Sequence, residues 1–158
     1  MTRSLAGYHE HNQDDRVNKK ALQDHGDRAV RILATKPYAC LGMKVKIEFG
    51  QLMTCLPAQE KLTGNVNVPA LQGGVIGSFL ELTALSEWLF RTGEQDLPRT
   101  TSFSVDYLRS GRMQDPFGGA VIIRQGRTIS NIQATIWQSN AAKPVAMARC
   151  NLLSHAFS

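Results

Sequence analysis

From Val75 to Phe90 the chain reads VIGSFLELTALSEWLF. Val75, Phe79, Leu82 and Leu89 fall near one helical stripe, and Ile76, Leu80, Leu85, Trp88 and Phe90 cover most of the remaining circumference. A helix that is apolar nearly all round cannot lie on a surface, so the rest of the chain has to enclose it. No apolar run approaches the length of a membrane span, so the enclosure is protein and not lipid. At 158 residues there is one domain's worth of chain to build it.

The flanking segments read as strands. In MKVKIEFG, Val45, Ile47 and Phe49 alternate with Lys44, Lys46 and Glu48, a period of two. Gly50 and Gln51 are expected to turn, and LMTCL returns as a second strand. After Gly93 ends the helix, four more strand-like segments follow: TSFSVDYLR, GGAVIIRQ, RTISNIQATIWQ and KPVAMARCNLLS, with a turn at Gly126. Short turns between strands imply antiparallel pairing. The expected fold is therefore α+β, an antiparallel sheet wrapped around a long central helix. Ahead of it, residues 1–15 read as a polar, disordered tail and residues 16–158 as the single domain. Residues 15–42 read as one or two short amphipathic helices, with Gly26 as a break and Pro37 as the stop. PAQEKLTGNVNVPALQGG is a long connector, and connectors of that length are often functional.

Glu81 interrupts the apolar helix. Burying an unpaired carboxylate costs several kcal/mol or raises its pKa. Its neighbours on the same face, Gly77, Ser78 and Ala84, are small, with Leu85 beside them. The acid is either paired with an arginine or near solvent at a subunit edge, or it is a reactive carboxylate facing a cleft. Glu87, on a different face near the helix end, reads as a surface or interface charge. Gly73 and Gly74 open the helix. They allow a tight turn, and they also leave the first backbone N–H groups approachable by an oxygen that gains negative charge.

Several function classes drop out. Cys40, Cys55 and Cys150 form no Cys-x-x-Cys pair and read as reduced thiols. His9 and His11 lack a third ligand nearby, so no metal and no cofactor is expected. The net charge of +5 is spread along the chain, with no concentrated basic stripe or nucleic-acid module; a small phosphate-bearing ligand suits it, and an ordinary solvated surface suits it best. No signal-peptide core precedes the domain, and the expected location is the cytoplasm, with no membrane partner. A serine triad is excluded by the lack of a Gly-x-Ser-x-Gly elbow.

Three segments, LTGN at 62–65, QGGVIGSFLE at 72–81 and VDYLRSGR at 105–112, resemble in order and spacing the hotdog-fold acyl-CoA thioesterases of the phenylacetyl-CoA (PaaI-like) type. That family carries L-x-G-N, then H-G-G, an acid nine residues after the His, and a strand ending V-[DN]-Y-L-R-P-[AG]-R. The resemblance covers about residues 37–154. It implies that Glu81 is the nucleophile or general base and that the Gly73 N–H polarises the thioester carbonyl, with Gly74 beside it. It implies that Asn65 places the attacking group, that Thr100 reaches a neighbouring subunit's site, and that Arg109 and Arg112 hold the phosphates of CoA. It further implies a homodimer, or a dimer of dimers, acting on an acyl- or aryl-acyl-CoA. Gln72 replaces the family's His, keeping a donor and an acceptor but no titration near neutral pH. Val66 and Ser110 stand where prolines are frequent. The same fold also carries non-catalytic acyl-CoA-binding domains, and hydratases that rely on a histidine which none of the three segments contains.

Overall fold

The structure is a computed structural model and describes residues 11–35, 38–65 and 67–154. Helix α1 (His11–Leu33) leads through a 3-10 turn (Tyr38–Leu41) to β1 (Lys44–Glu48) and β2 (Gln51–Cys55). A second 3-10 turn (Glu60–Leu62) precedes the short strands β3 (Thr63–Asn65) and β4 (Ala70–Leu71). Then come α2 (Gly73–Thr92), β5 (Arg99–Tyr107), β6 (Phe117–Gln125), β7 (Ile129–Trp137) and β8 (Ala146–Leu153). Six strands form one antiparallel sheet in the order β1-β2-β6-β7-β8-β5. As expected of the hotdog fold, this sheet wraps around α2, and every residue from Leu82 to Phe90 is buried.

Period two explains which side of each strand meets the helix. Ala146, Ala148, Cys150 and Leu152 of β8, with Ile132, Ala134 and Ile136 of β7, are all buried against it. β2 joins β6 through only two residue pairs, Thr54↔Gly118 and Cys55↔Phe117. At that junction Thr54 Oγ1 and Thr83 Oγ1 lie 2.7 Å apart, and the Thr54 hydroxyl also donates to the Gly118 carbonyl. Beyond it the strands diverge and leave a cleft of about 460 Å³ lined by Gln51, Glu87, Arg91 and β6.

Two expectations are corrected. Helix α1 is continuous through Gly26, because a Cβ there would lie 1.8 Å from Ile47 Cδ1; the glycine is a close-packing point, not a break. The helix begins at His11; residues 1–10, His9 among them, and Pro37 and Val66 lie outside those described. Phe49 does not continue the buried face of β1. It sits in the turn at φ 51° beside Gly50 at φ 72°, fully exposed, with Glu48 paired to Gln51. Two residues with positive φ make the tight turn that suits the strand twist. Within the connector at 57–74, β3 and β4 pair antiparallel and the Gln72 N–H donates to the Leu62 carbonyl.

Candidate functional site

The three segments quoted above converge on the first turn of α2. LTGN forms β3 and pairs with β4, which runs directly into the helix (Thr63↔Leu71 and Asn65↔Ala70). A Cβ on Gly64 would lie 3.0 Å from the Gln72 Cα, so the two segments are in backbone contact. From the other side, VDYLRSGR leaves the end of β5 and docks on β4. The Leu71 N–H donates to the Gly111 carbonyl at 2.9 Å, and Ala70 bridges to Arg112. Tyr107 Oη donates to the Gly73 carbonyl at 2.7 Å.

That first turn is left open. Gln72 occupies the N-cap position but makes no side-chain cap bond, and the turn contains no acidic residue. Gln72, Gly73 and Gly74 are exposed. The N–H groups of a first turn have no intrahelical acceptor and carry the positive end of the helix dipole. The fold does not require the two glycines. Neither has a positive φ; a Cβ at Gly73 would make ordinary contact with Tyr107 at 3.6 Å, and one at Gly74 would meet none of the described residues within 4 Å beyond its own turn of helix. Compare Gly118, where a Cβ would strike Thr54 Oγ1 at 2.6 Å, or Gly93 at φ 70°.

The remaining expected residues divide into two groups. Asn65 is at this end, exposed, with Oδ1 accepting from the Asn67 N–H. Arg109 and Arg112 are exposed here too. Arg109 donates to the Pro144 carbonyl, and the Arg112 backbone is held at both its N–H and its carbonyl by Gln138. Glu81 and Thr100 are not at this end. Eight residues of helix put Glu81 about 12 Å further along α2. There it is half-buried, and its charge acts on Cys150, whose thiol is pushed up to about 11, chiefly by burial and secondly by Glu81. Thr100 pairs with Leu152 of β8, near the opposite end of β5 from Tyr107.

Glu87 is the buried acid of α2, not the surface or interface charge expected. It is 5% exposed and lies 2.6 Å from Arg91, one turn on. Burial raises its pKa, and the hydrogen bond and charge of Arg91 oppose that rise. The pair faces the β2–β6 cleft, on a different side of the helix from Glu81. Tyr107 was given no role from sequence. The available signal was period two, which puts it on the same side of β5 as Phe103 and Val105, toward the helix. Among the described residues no group of three or more His, Cys, Asp or Glu is placed to hold a metal ion, and no helix is long and apolar enough to cross a membrane.

Residues 70–145 match the family model described as the thioesterase superfamily. No curated protein matches the chain significantly. Among solved structures, a protein from Chromobacterium violaceum is 31% identical over 88% of this chain and 99% of its own, with a TM-score of 0.66. A phenylacetic acid degradation-related protein from Ralstonia eutropha is 23% identical over 82% of this chain and 99% of its own, with a TM-score of 0.64. A Bacillus halodurans protein solved with CoA is 17% identical over 95% of this chain and 97% of its own, also with a TM-score of 0.64. The latter two likenesses establish the fold.

Proposed function

The chain belongs to the thioesterase superfamily, and on that premise we propose that it hydrolyses acyl-CoA thioesters at sites assembled between two copies of the chain. The observation that carries this is the glycine-lined first turn of α2, which no side chain among the described residues caps. Helix propensity disfavours each glycine by about 0.5–1 kcal/mol relative to alanine. What is gained is close approach of a ligand to the backbone donors. The CoA bound to the Bacillus halodurans protein supports a CoA thioester as that ligand.

In this reading the thioester carbonyl lies against the first-turn N–H groups of Gly73 and Gly74, with the Gln72 amide beside them and Asn65 on the flanking loop. Glu81 as base removes a proton from water while the oxygen bonds to the carbonyl carbon. The tetrahedral oxyanion is held by the amides, the C–S bond breaks, and CoA leaves as a thiolate that needs no strong acid. A direct attack by the carboxylate would give an anhydride instead, and single-turnover hydrolysis in ¹⁸O-water separates the two routes. Arg109 and Arg112 bind the CoA phosphates.

The distance of about 12 Å between the Gly73 turn and Glu81 of the same chain is too long for one reaction centre. A two-fold related copy, with its α2 antiparallel, brings Glu81 and Thr100 of the partner subunit to the first turn of α2, and the exchange is reciprocal. The first test is a hydrolysis screen over short, medium, long and aryl acyl-CoAs. The second mixes two inactive variants, Glu81→Gln and Gly74→Val. Each mixed dimer would regain one complete site, restoring about a quarter of parental activity after random reassociation. Absence of any recovery in verified mixed dimers places the whole site in one chain.

A further inference from the structure

We infer that Tyr107 is a positioning residue for the carbonyl-polarising amides, acting through the peptide that joins Gly73 to Gly74. This deepens the thioesterase reading and rests on it. The Tyr107 hydroxyl donates to the Gly73 carbonyl at 2.7 Å. That carbonyl and the Gly74 N–H belong to one peptide unit. A carbonyl that accepts a second hydrogen bond, beyond the one from the helix's own i+4 amide, draws electron density from its N–H and makes it a stronger donor. The amide so strengthened belongs to Gly74, where an added Cβ would meet none of the described residues within 4 Å beyond its own turn of helix. The Gln72 side chain does not occupy it.

The surroundings fit an oriented strut better than a packing residue. Tyr107 is 56% exposed, so its ring contributes little to the core. Its backbone is fixed at the last pair of β5 with β8, opposite Ala146. The next two residues both send their N–H groups to the Val145 carbonyl. Its ring edge lies 3.7 Å from where a Cβ would stand on Gly73, and its hydroxyl oxygen 3.6 Å from where one would stand on Gly77, so the phenol reaches the helix over two glycines with its hydroxyl on the Gly73 carbonyl. The strand end, rigidly paired, thereby sets the tilt of the first peptide planes of α2 relative to the sheet.

Tyr107→Phe keeps the ring and removes only the hydroxyl. On the full-length protein the expected result is a kcat lowered about three- to tenfold, with KM for acyl-CoA and the melting temperature unchanged. The Gly74 ¹⁵N resonance should move upfield, because that nucleus responds to hydrogen bonding at the preceding carbonyl; the retained ring keeps its ring-current contribution nearly constant. Tyr107→Leu should lower kcat at least as far. An unmoved Gly74 resonance, or a kcat equal to the parent's, overturns the inference. So does a rise in KM with kcat intact, which would make Tyr107 a binding contact. If the parent hydrolyses no thioester, the functional reading itself fails, and the Gly74 resonance still decides whether Tyr107 polarises that peptide.

Discussion

At its C-terminal end α2 is closed by the chain's own groups. Gly93 adopts the left-handed conformation and returns its N–H to the Leu89 carbonyl. The Thr92 hydroxyl donates to the Trp88 carbonyl, a His25 ring nitrogen lies 3.1 Å from the Phe90 carbonyl, and the Arg28 guanidinium donates to the Gly93 carbonyl. Arg91 adds a cation in the last turn and lies over the Phe90 ring. At the N-terminal end the capping position holds a glutamine that caps nothing, followed by two exposed glycines. A side-chain N-cap contributes about 1 kcal/mol, so the second end forgoes a stabilisation that the first end takes in several forms. The same contrast runs through the glycines. Gly26, Gly93 and Gly118 are required by contacts or by φ, whereas Gly73 and Gly74 are required by neither. This contrast between the two ends is what the proposed thioester site rests on.

The largest expected effect concerns Glu81, the acid proposed to serve the open end. Glu81→Gln should lower turnover by about two orders of magnitude while thermal stability stays at or above the parent's. Near-parental hydrolysis by the folded variant would remove Glu81 from the mechanism. Next comes a matched pair of glycine variants. Gly118→Val forces atoms into the Thr54–Thr83 contact and should cost about 2–3 kcal/mol in denaturant unfolding. Gly74→Ala should instead stabilise by about 0.5–1 kcal/mol while lowering turnover. Equal destabilisation by both would erase the distinction between required and unrequired glycines. Gln72→Asp supplies the missing cap. It should stabilise by about 1 kcal/mol and reduce activity, since its carboxylate competes for the same amides; a variant stabilised and fully active would show that those amides are not used.

The two remaining effects are smaller. Replacing Arg109 and Arg112 with alanine should raise KM for acyl-CoA several-fold with kcat nearly constant, and should flatten the rise of KM with ionic strength. Identical KM values would dismiss the pair as phosphate ligands. At the closed end, Glu87 has a pKa raised above its ordinary 4.5 by burial. Between those two values the folded state binds more protons than the unfolded one. Its contribution therefore favours folding below about pH 4.5 and is lost as pH rises through the raised value. Glu87→Gln should remove that downward slope from the stability–pH profile, and a slope unchanged in the variant would assign it to another group.

Much of the fold was legible because its signals are local. The all-round apolar run specified an enclosed helix, and period two specified which side of β7 and β8 would enclose it. Phe49 was misassigned for the same reason: alternation continues through it, but the turn intervenes one residue earlier than Gly50–Gln51. Glu87 was misassigned because a helical wheel ranks faces without saying which lies under the sheet. Its partner at i+4, Arg91, was readable. At the site, the order of the three segments was visible in the sequence. Their meeting was not, because it depends on backbone bonds between distant residues, such as Leu71 to Gly111 and Gln72 to Leu62. The separation of Glu81 from Gly73 follows from helix rise alone and was available from the first line of sequence.

The two-pair seam between β2 and β6 also has a consequence in time. Four strands, β6, β7, β8 and β5, are stitched together by eight residue pairs at each of their junctions, while β1 and β2 are attached to them at Thr54 and Cys55 alone. Backbone amides on either side of that seam should therefore exchange with solvent deuterium on different clocks. The β1–β2 hairpin would open by separation at the seam, with no need to unfold the strand that ends at Tyr107. Slow fluctuations of that hairpin would then leave the first turn of α2 and its docking strand undisturbed, and labelling would divide the sheet into a yielding third and a steady remainder.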